Sequence, residues 1–319
     1  MHDFSLATRQ AETLGILTPF PRILPAVLRL ILTLLIYLTA DVQASECTEA
    51  MARFDYSAAA RFANARLAQS PGDAGSLICL ARSQYERGDF EAALISLQRT
   101  DGLAKTPVEA VLTNNWYGVT LRRMGQRNAA KLFLQKAFDL ARASGDQGGL
   151  ATAMHNIASM LNDLDRPQEA LAWYQASLAI NPDAAERSAS LNNMGLIVAA
   201  LGRNDEAEGL IRAAIDVNRQ GGHFHHLGKH LMNLGNLLRR QGRFDEAGAL
   251  IGQGQALVEK AGDRYWIGVG HRLRAWLAQE TGHRDEARRE YDLAAIEYGW
   301  AGTVTDLDAT HAERAALGR

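Results

Sequence analysis

The chain has 319 residues, with 34 Lys and Arg against 36 Asp and Glu, a formal net charge of −2, 47% hydrophobic residues and 7 prolines. A near-neutral chain lacks the basic surplus that phosphate neutralisation requires, which argues against a nucleic-acid binder. No Gly/Ser-rich or Pro-rich stretch divides it, and a single elongated domain is expected behind the N-terminal leader.

That leader differs in kind from the rest. Arg9, Arg22 and Arg29 precede an apolar run from Leu30 to Ala40, and Val42-Gln43-Ala44 offers a small-residue cleavage site before Ser45. This is the grammar of a secretory signal peptide over residues 1–44. The rival is an uncleaved membrane anchor over residues 23–40, the only part of the chain suited to a membrane. It would carry Pro25 and Arg29 inside the span, where an arginine costs roughly 2.5 to 3.5 kcal/mol, and the uninterrupted apolar run is shorter than the ~20 residues a spanning helix needs. An N-terminal helix of a cytosolic protein ranks below both. The first reading makes the body periplasmic or secreted; the second holds it at the inner membrane, outside the cytoplasm.

From Ser45 onward the chain repeats a pair of helices. The clearest unit is Leu150 to Asp183. Met154, Ile157, Ala158 and Leu161 recur at helical spacing and make one apolar stripe. Asp165-Arg166-Pro167 then breaks the first helix. Proline suits the first turn of the next, and Asp165 is expected to cap it. Ala170, Leu171, Tyr174 and Leu178 line the second helix, which ends at Asn181-Pro182-Asp183. The alanine at the start of each second helix is a ruler. It falls at Ala59, Ala93, Ala130, Ala170, Ala207, Ala247 and Ala287, and the intervals lengthen from 34 residues to 40. A small residue stands twelve places earlier at Ala81, Gly118, Ala158, Gly195, Gly235 and Ala275, where two helices crossing closely leave no room for a larger one. Gly202 to Ala207, Gly242 to Ala247 and Gly282 to Ala287 are one turn used three times: a glycine able to close the first helix, then an Asp-Glu pair at the positive start of the second. Residues 304–319 hold a terminal helix, Leu307 to Leu317, that caps the last apolar face.

The order of small, alanine, aromatic and proline positions in Ala158, Ala170, Tyr174 and Pro182 resembles the tetratricopeptide repeat. The resemblance covers Ser45 to Ala301. It implies an all-α fold: a right-handed α-solenoid of about seven helix-turn-helix repeats over residues 45–303, with a C-terminal capping helix. Prolines at the repeat end survive only at Pro71 and Pro182, and the longer repeats resemble the class found in kinesin light chains and in bacterial peptide-sensing regulators.

Cys47 and Cys79 fall on first helices of adjacent repeats; in a cytosolic protein they read as small buried hydrophobes, in an exported one as a Cys47–Cys79 disulfide, and both readings stand. His226 and His230 share a helix face at a spacing that suits a divalent metal, but they lie at a join between repeats with no further ligand to complete a shell, so no metal is expected. No catalytic motif is present, Gly252-Gln253-Gly254 sits inside a helical repeat, and the repeats leave no room for a second fold. A non-catalytic scaffold or adaptor without a cofactor is the reading.

Its partner is expected to be a protein or peptide segment in extended conformation. Two residues before the small residue of the first helix stand Asn156, Asn193 and Asn233, with Asn115 one place out of register beside Trp116. An asparagine amide both donates and accepts, so a row of them can read a peptide backbone. This resembles the asparagine ladder of kinesin-light-chain-type repeats and implies a ligand-gripping wall. One turn away Ser159, Asp163, Asn236, Arg240 and Trp276 are expected to meet ligand side chains, and Arg122, Arg123, Arg239 and Arg272 to receive acidic groups. The alternatives are asparagines that only tie neighbouring helices together, a structural subunit of a cell-envelope assembly working through its convex face or ends, and a peptide-sensing regulator.

Overall fold

The computed structural model describes residues 46–51, 53 and 55–318; all but the first of these lie in one compact unit, Cys47–Arg319. The leader expected over residues 1–44 lies outside the described residues. Among those described, no helix is long and apolar enough to cross a membrane.

A short helical segment at 46–51 opens the unit. It is followed by α1 (Tyr56–Gln69), α2 (Ala74–Glu86), α3 (Phe90–Gln98), α4 (Pro107–Arg123), α5 (Arg127–Ser144), α6 (Gln147–Asp163) and α7 (Pro167–Ile180). The series continues with α8 (Ala184–Ala200), α9 (Asn204–Gly221), α10 (Phe224–Arg240), α11 (Phe244–Ala261), α12 (Arg264–Glu280), α13 (Arg284–Ala301) and α14 (Val304–Ala316). These pair as first and second helices of a right-handed α-solenoid, with α14 packed on α13 as the terminal cap. Each second helix packs on its own first helix and on the next one, and first helices of successive repeats also touch. The first helices therefore line the inner wall. The lengthening of the repeats resides in both: first helices grow from 13 residues in α2 to 17 in α4, α6, α8, α10 and α12. Second helices run 9 residues in α3, 14 in α7 and 18 in α9, α11 and α13.

Local sequence explains the starts. Asp73, Asp146, Asp183 and Asp263 each take a backbone N–H of the first turn onto a carboxylate oxygen, satisfying one of the helix's orphan donors. Thr106 and Glu109 form a capping box around Pro107. The second helices α9, α11 and α13 have no such side-chain cap and instead carry Asp205-Glu206, Asp245-Glu246 and Asp285-Glu286 in their first turns, where negative charge meets the helix dipole.

The core is a row of helix crossings. Ala59, Ala93, Ala130, Ala170, Ala207, Ala247 and Ala287 are all fully buried. A Cβ added at Gly195 would lie 2.6 Å from Ile211 Cγ1 and 3.1 Å from the Ala207 carbonyl oxygen, and at Gly235 it would lie 2.7 Å from Ile251 Cγ1. Isoleucine branches at Cβ and presses a γ-carbon against the partner backbone, so only glycine fits opposite it. Where Tyr174 and Tyr291 take the isoleucine's place, the small residues are Ala158 and Ala275, whereas opposite Leu134 a Cβ added at Gly118 would lie 2.4 Å from the leucine Cγ. Gly195→Ala should therefore lower stability by about 1 kcal/mol or more, overpacking outweighing its better helix propensity; chemical denaturation checks it.

One local expectation is corrected. Asp165 does not cap α7; the N-cap is Arg166, without a side-chain cap bond. Asp165 occupies the place that Gly202, Gly242 and Gly282 hold in other repeats, and it alone among non-glycine described residues has a positive φ, 56°. The turn requires a left-handed residue whatever side chain is there, and aspartate tolerates that conformation at some cost. Asp165→Gly should raise the melting temperature, by an amount equivalent to roughly 0.5–1 kcal/mol, read by a thermal melt.

Candidate functional site: the inner wall

The asparagines meet the preceding repeat. Asn156 Nδ2 donates to Asn115 Oδ1 at 3.2 Å, Asn193 Nδ2 to the Tyr174 hydroxyl at 3.2 Å, and Asn233 Nδ2 to Asn192 Oδ1 at 3.0 Å. The Tyr174 hydroxyl also bonds Ser159 at 2.7 Å. These three rungs use the amide donors expected to be free for a ligand. The Oδ1 atoms of Asn156 and Asn233 stay without a partner among the described residues, and Asn115 Nδ2 is buried without one. Ser159 is buried against Tyr174 and does not face a ligand as expected. Asn192, which completes a rung, was missed; its adjacency to Asn193 was the available signal.

The arginines are a second correction. Arg122 reaches Asp163 at 3.2 Å and Arg239 pairs with Glu280, each tying a repeat to the one after it. Asn236 Oδ1 accepts from Arg239 at 3.1 and 3.0 Å. Arg272 holds Glu313 of α14 through Nε at 2.9 Å and through a second, shorter bond, and Trp276 Nε1 donates to the same carboxylate at 3.1 Å. Two guanidinium groups approach the Trp276 ring, Arg239 at 5.1 Å and Arg272 at 4.8 Å from its centre. Arg122, Arg239 and Arg272 are thus committed to carboxylates of this chain. Arg123 and Arg240 are exposed and in no ion pair among the described residues.

The wall curls back on itself. A Cβ built at Gly88, in the α2–α3 turn, would come 3.9 Å from the carbonyl oxygen of Ala301 at the end of α13. Glu86, which is exposed, is consequently within electrostatic reach of Lys229 on α10 and Asp263 before α12. Lys229 sits 3.4 Å from Asp263 and over the Trp266 ring, and His225 bonds Asp263 at 2.7 Å.

His226 and His230 do not converge on a common ligand point: their rings are 6.4 Å apart and His230 bonds Asn218 at 2.9 Å. Among the described residues no group of three metal-ligating side chains forms. Cys47 and Cys79 are brought together as a disulfide, with Cα atoms 6.6 Å apart, joining the first helical segment to α2.

Comparison with known proteins follows this geometry. Three family models, each described as tetratricopeptide repeat, match residues 109–183, residues 187–220 with 228–251, and residues 74–97 with 268–292. The chain carries tetratricopeptide repeats. A search of curated sequences finds no match. Among solved structures, the Rap conjugation gene regulator of plasmid pLS20 in complex with the Phr* peptide is 14% identical, with a TM-score of 0.66 over 83% of this chain and 75% of that one. A Rap protein complexed with Competence and Sporulation Factor is 12% identical, with a TM-score of 0.57 over 88% and 97%. A signal-transduction ATPase from Pyrococcus horikoshii with a tetratricopeptide repeat sensor is 13% identical, with a TM-score of 0.63 over 88% of this chain and 47% of that one. At these identities the likeness is one of fold.

Burial lowers His155 and His230 to about 4 and His226 to about 3, from an ordinary value of 6.5. A histidine held neutral in the folded state contributes stability above about pH 6.5, and loses it as the pH falls towards 4 because the unfolded chain takes up the proton first. Each should cost on the order of 1–2 kcal/mol at pH 5. The melting temperature should fall between pH 7 and pH 5, and by less in His230→Gln.

Proposed function

We propose that the chain is a non-catalytic adaptor that holds an extended segment of a partner protein or peptide along its inner wall, and that it works outside the cytoplasm. The observation that carries the first part is the wall itself. It leaves the apolar side chains Leu112 and Leu196 38% and 41% exposed on the same series of first helices that carries the unbonded amide oxygens of Asn156 and Asn233. Apolar surface next to unsatisfied acceptors suits a chain that brings side chains and backbone N–H groups together. The asparagines then serve twice: the amide nitrogen ties one repeat to the last, and the oxygen is left for the ligand. The lengthened repeats, which resemble the kinesin-light-chain class, and the similar fold of a Rap regulator solved in complex with the Phr* peptide favour this reading over a purely structural subunit.

The second part rests on the arginine-flanked apolar leader and on the paired cysteines, since a disulfide persists where the surroundings are oxidising. A bridge across 32 residues of sequence stabilises by roughly 3–4 kcal/mol in the chain-entropy account.

Two measurements test the proposal. Replacing Asn156, Asn193 and Asn233 by Asp keeps the oxygens but removes the donors, whereas alanine removes both. Partner affinity should survive the first set better than the second, and both sets should melt lower by about 1 kcal/mol per lost rung. Equal affinity in all three proteins would defeat the wall reading. For location, intact mass of chain recovered from the periplasm should show loss of residues 1–44 and no alkylation without reductant; full-length chain with two free thiols overturns export.

A further inference from the structure

The solenoid contains the same pair of arginines twice. In α4 and in α10 the last two residues are a pair of arginines, Arg122-Arg123 and Arg239-Arg240. The first of each pair bonds an acid of the following repeat, Asp163 or Glu280. The second of each pair, Arg123 or Arg240, stands exposed with no carboxylate partner among the described residues.

The aromatic clusters repeat the contrast. Near the C-terminal end, Arg239 and Arg272 flank Trp276, and each guanidinium is neutralised, by Glu280 and Glu313. At the N-terminal end, Tyr85 lies 5.4 Å from Trp116 and 5.5 Å from Phe90. Arg82 covers the Trp116 ring at 5.5 Å, and Arg123 covers the Phe90 ring at 5.6 Å. Neither arginine has an ion pair among the described residues. Glu86, one turn from Arg82, is the nearby acid; it is exposed, lies within electrostatic reach of both arginines and makes no ion pair with either among the described residues. Across the concavity Lys229 and Asp263 already neutralise one another. The N-terminal cluster therefore has the cations and the aromatic shelf of its C-terminal counterpart without carboxylates bonded to them.

We propose that the partner segment is acidic, and that its carboxylates take the places at Arg82 and Arg123, with Arg240 engaging a further acid, that Glu280 and Glu313 take at the C-terminal cluster. This deepens the adaptor reading above and rests on it. Guanidinium groups stacked on aromatic rings are held in place with their N–H edges outward, so they lose little freedom on receiving a carboxylate. Carboxylate is preferred over other anions because it is the group this chain itself uses on the matching cluster.

The test is fluorescence anisotropy on the full chain with a labelled peptide alternating glutamate and serine, and with its glutamine counterpart. The glutamate peptide should bind at least tenfold more tightly, weaken as salt rises, and lose that advantage in Arg123→Gln/Arg240→Gln, whose melting temperature should stay that of the parent. Arg82→Gln alone should lose part of it. Arg122→Gln is the contrasting variant: it should lower the melting temperature and leave the glutamate preference. Equal binding of the two peptides, or an unchanged preference in the double variant, overturns the inference; equal tight binding leaves the adaptor reading standing, whereas no binding of either peptide counts against both.

Discussion

The close crossing of the two helices within each repeat is the constraint on which everything else depends. A glycine or alanine on the first helix and a fully buried alanine on the second let the axes approach until backbone meets side chain. Because that contact fixes the angle within a repeat, and the packing of second helix onto next first helix fixes the angle between repeats, the curvature of the whole unit is an accumulation of local geometry. A change of one methyl group at Gly195 or Gly235 would thus be felt as strain at a crossing and as a change in the direction of every repeat beyond it.

On that frame the polar residues of the inner wall divide into two jobs. Asparagine rungs and arginine–carboxylate rungs run from one repeat to the next, all but the Asn193–Tyr174 rung between successive first helices, and hold the spacing of the wall. Other groups of the same types, a residue or a turn away, are left open: two amide oxygens, and arginines at Arg82, Arg123 and Arg240. The wall is built from one vocabulary, and whether a given residue ties or receives is decided by what the next repeat places opposite it. Where the next repeat offers Asp163 or Glu280, the arginine is a tie. Ala200, five residues past Gly195, stands where those acids stand after Ala158 and Ala275, so no such tie links α6 to α8.

The buried histidines and the disulfide add conditions to this frame. His155, His226 and His230 are held neutral by burial, so the joins between the later repeats depend on pH in the acidic range. The first repeat has only a short helical segment to pack on α1, and the Cys47–Cys79 bond supplies covalently the closure that the other repeats obtain from a full first helix.

The sequence by itself determined the helix pairs, their boundaries to within a few residues, the phase of the repeats and the small residues at the crossings, because all of these are set by contacts between residues less than one repeat apart. It also marked the asparagines and arginines of the inner wall as a set. It did not separate them, since Arg122 and Arg123 are adjacent and alike, and only the position of Asp163 forty-one residues later decides that one is a tie. Nor did it show that Asp165 is a left-handed turn residue, for aspartate serves equally as a cap and the backbone chooses. What only the tertiary structure decided was the meeting of the α2–α3 turn with the end of α13, which sets Glu86 before Lys229 and Asp263. Curvature summed over six repeats has no signature in any one of them, and it is that sum which turns a row of first helices into an enclosing wall.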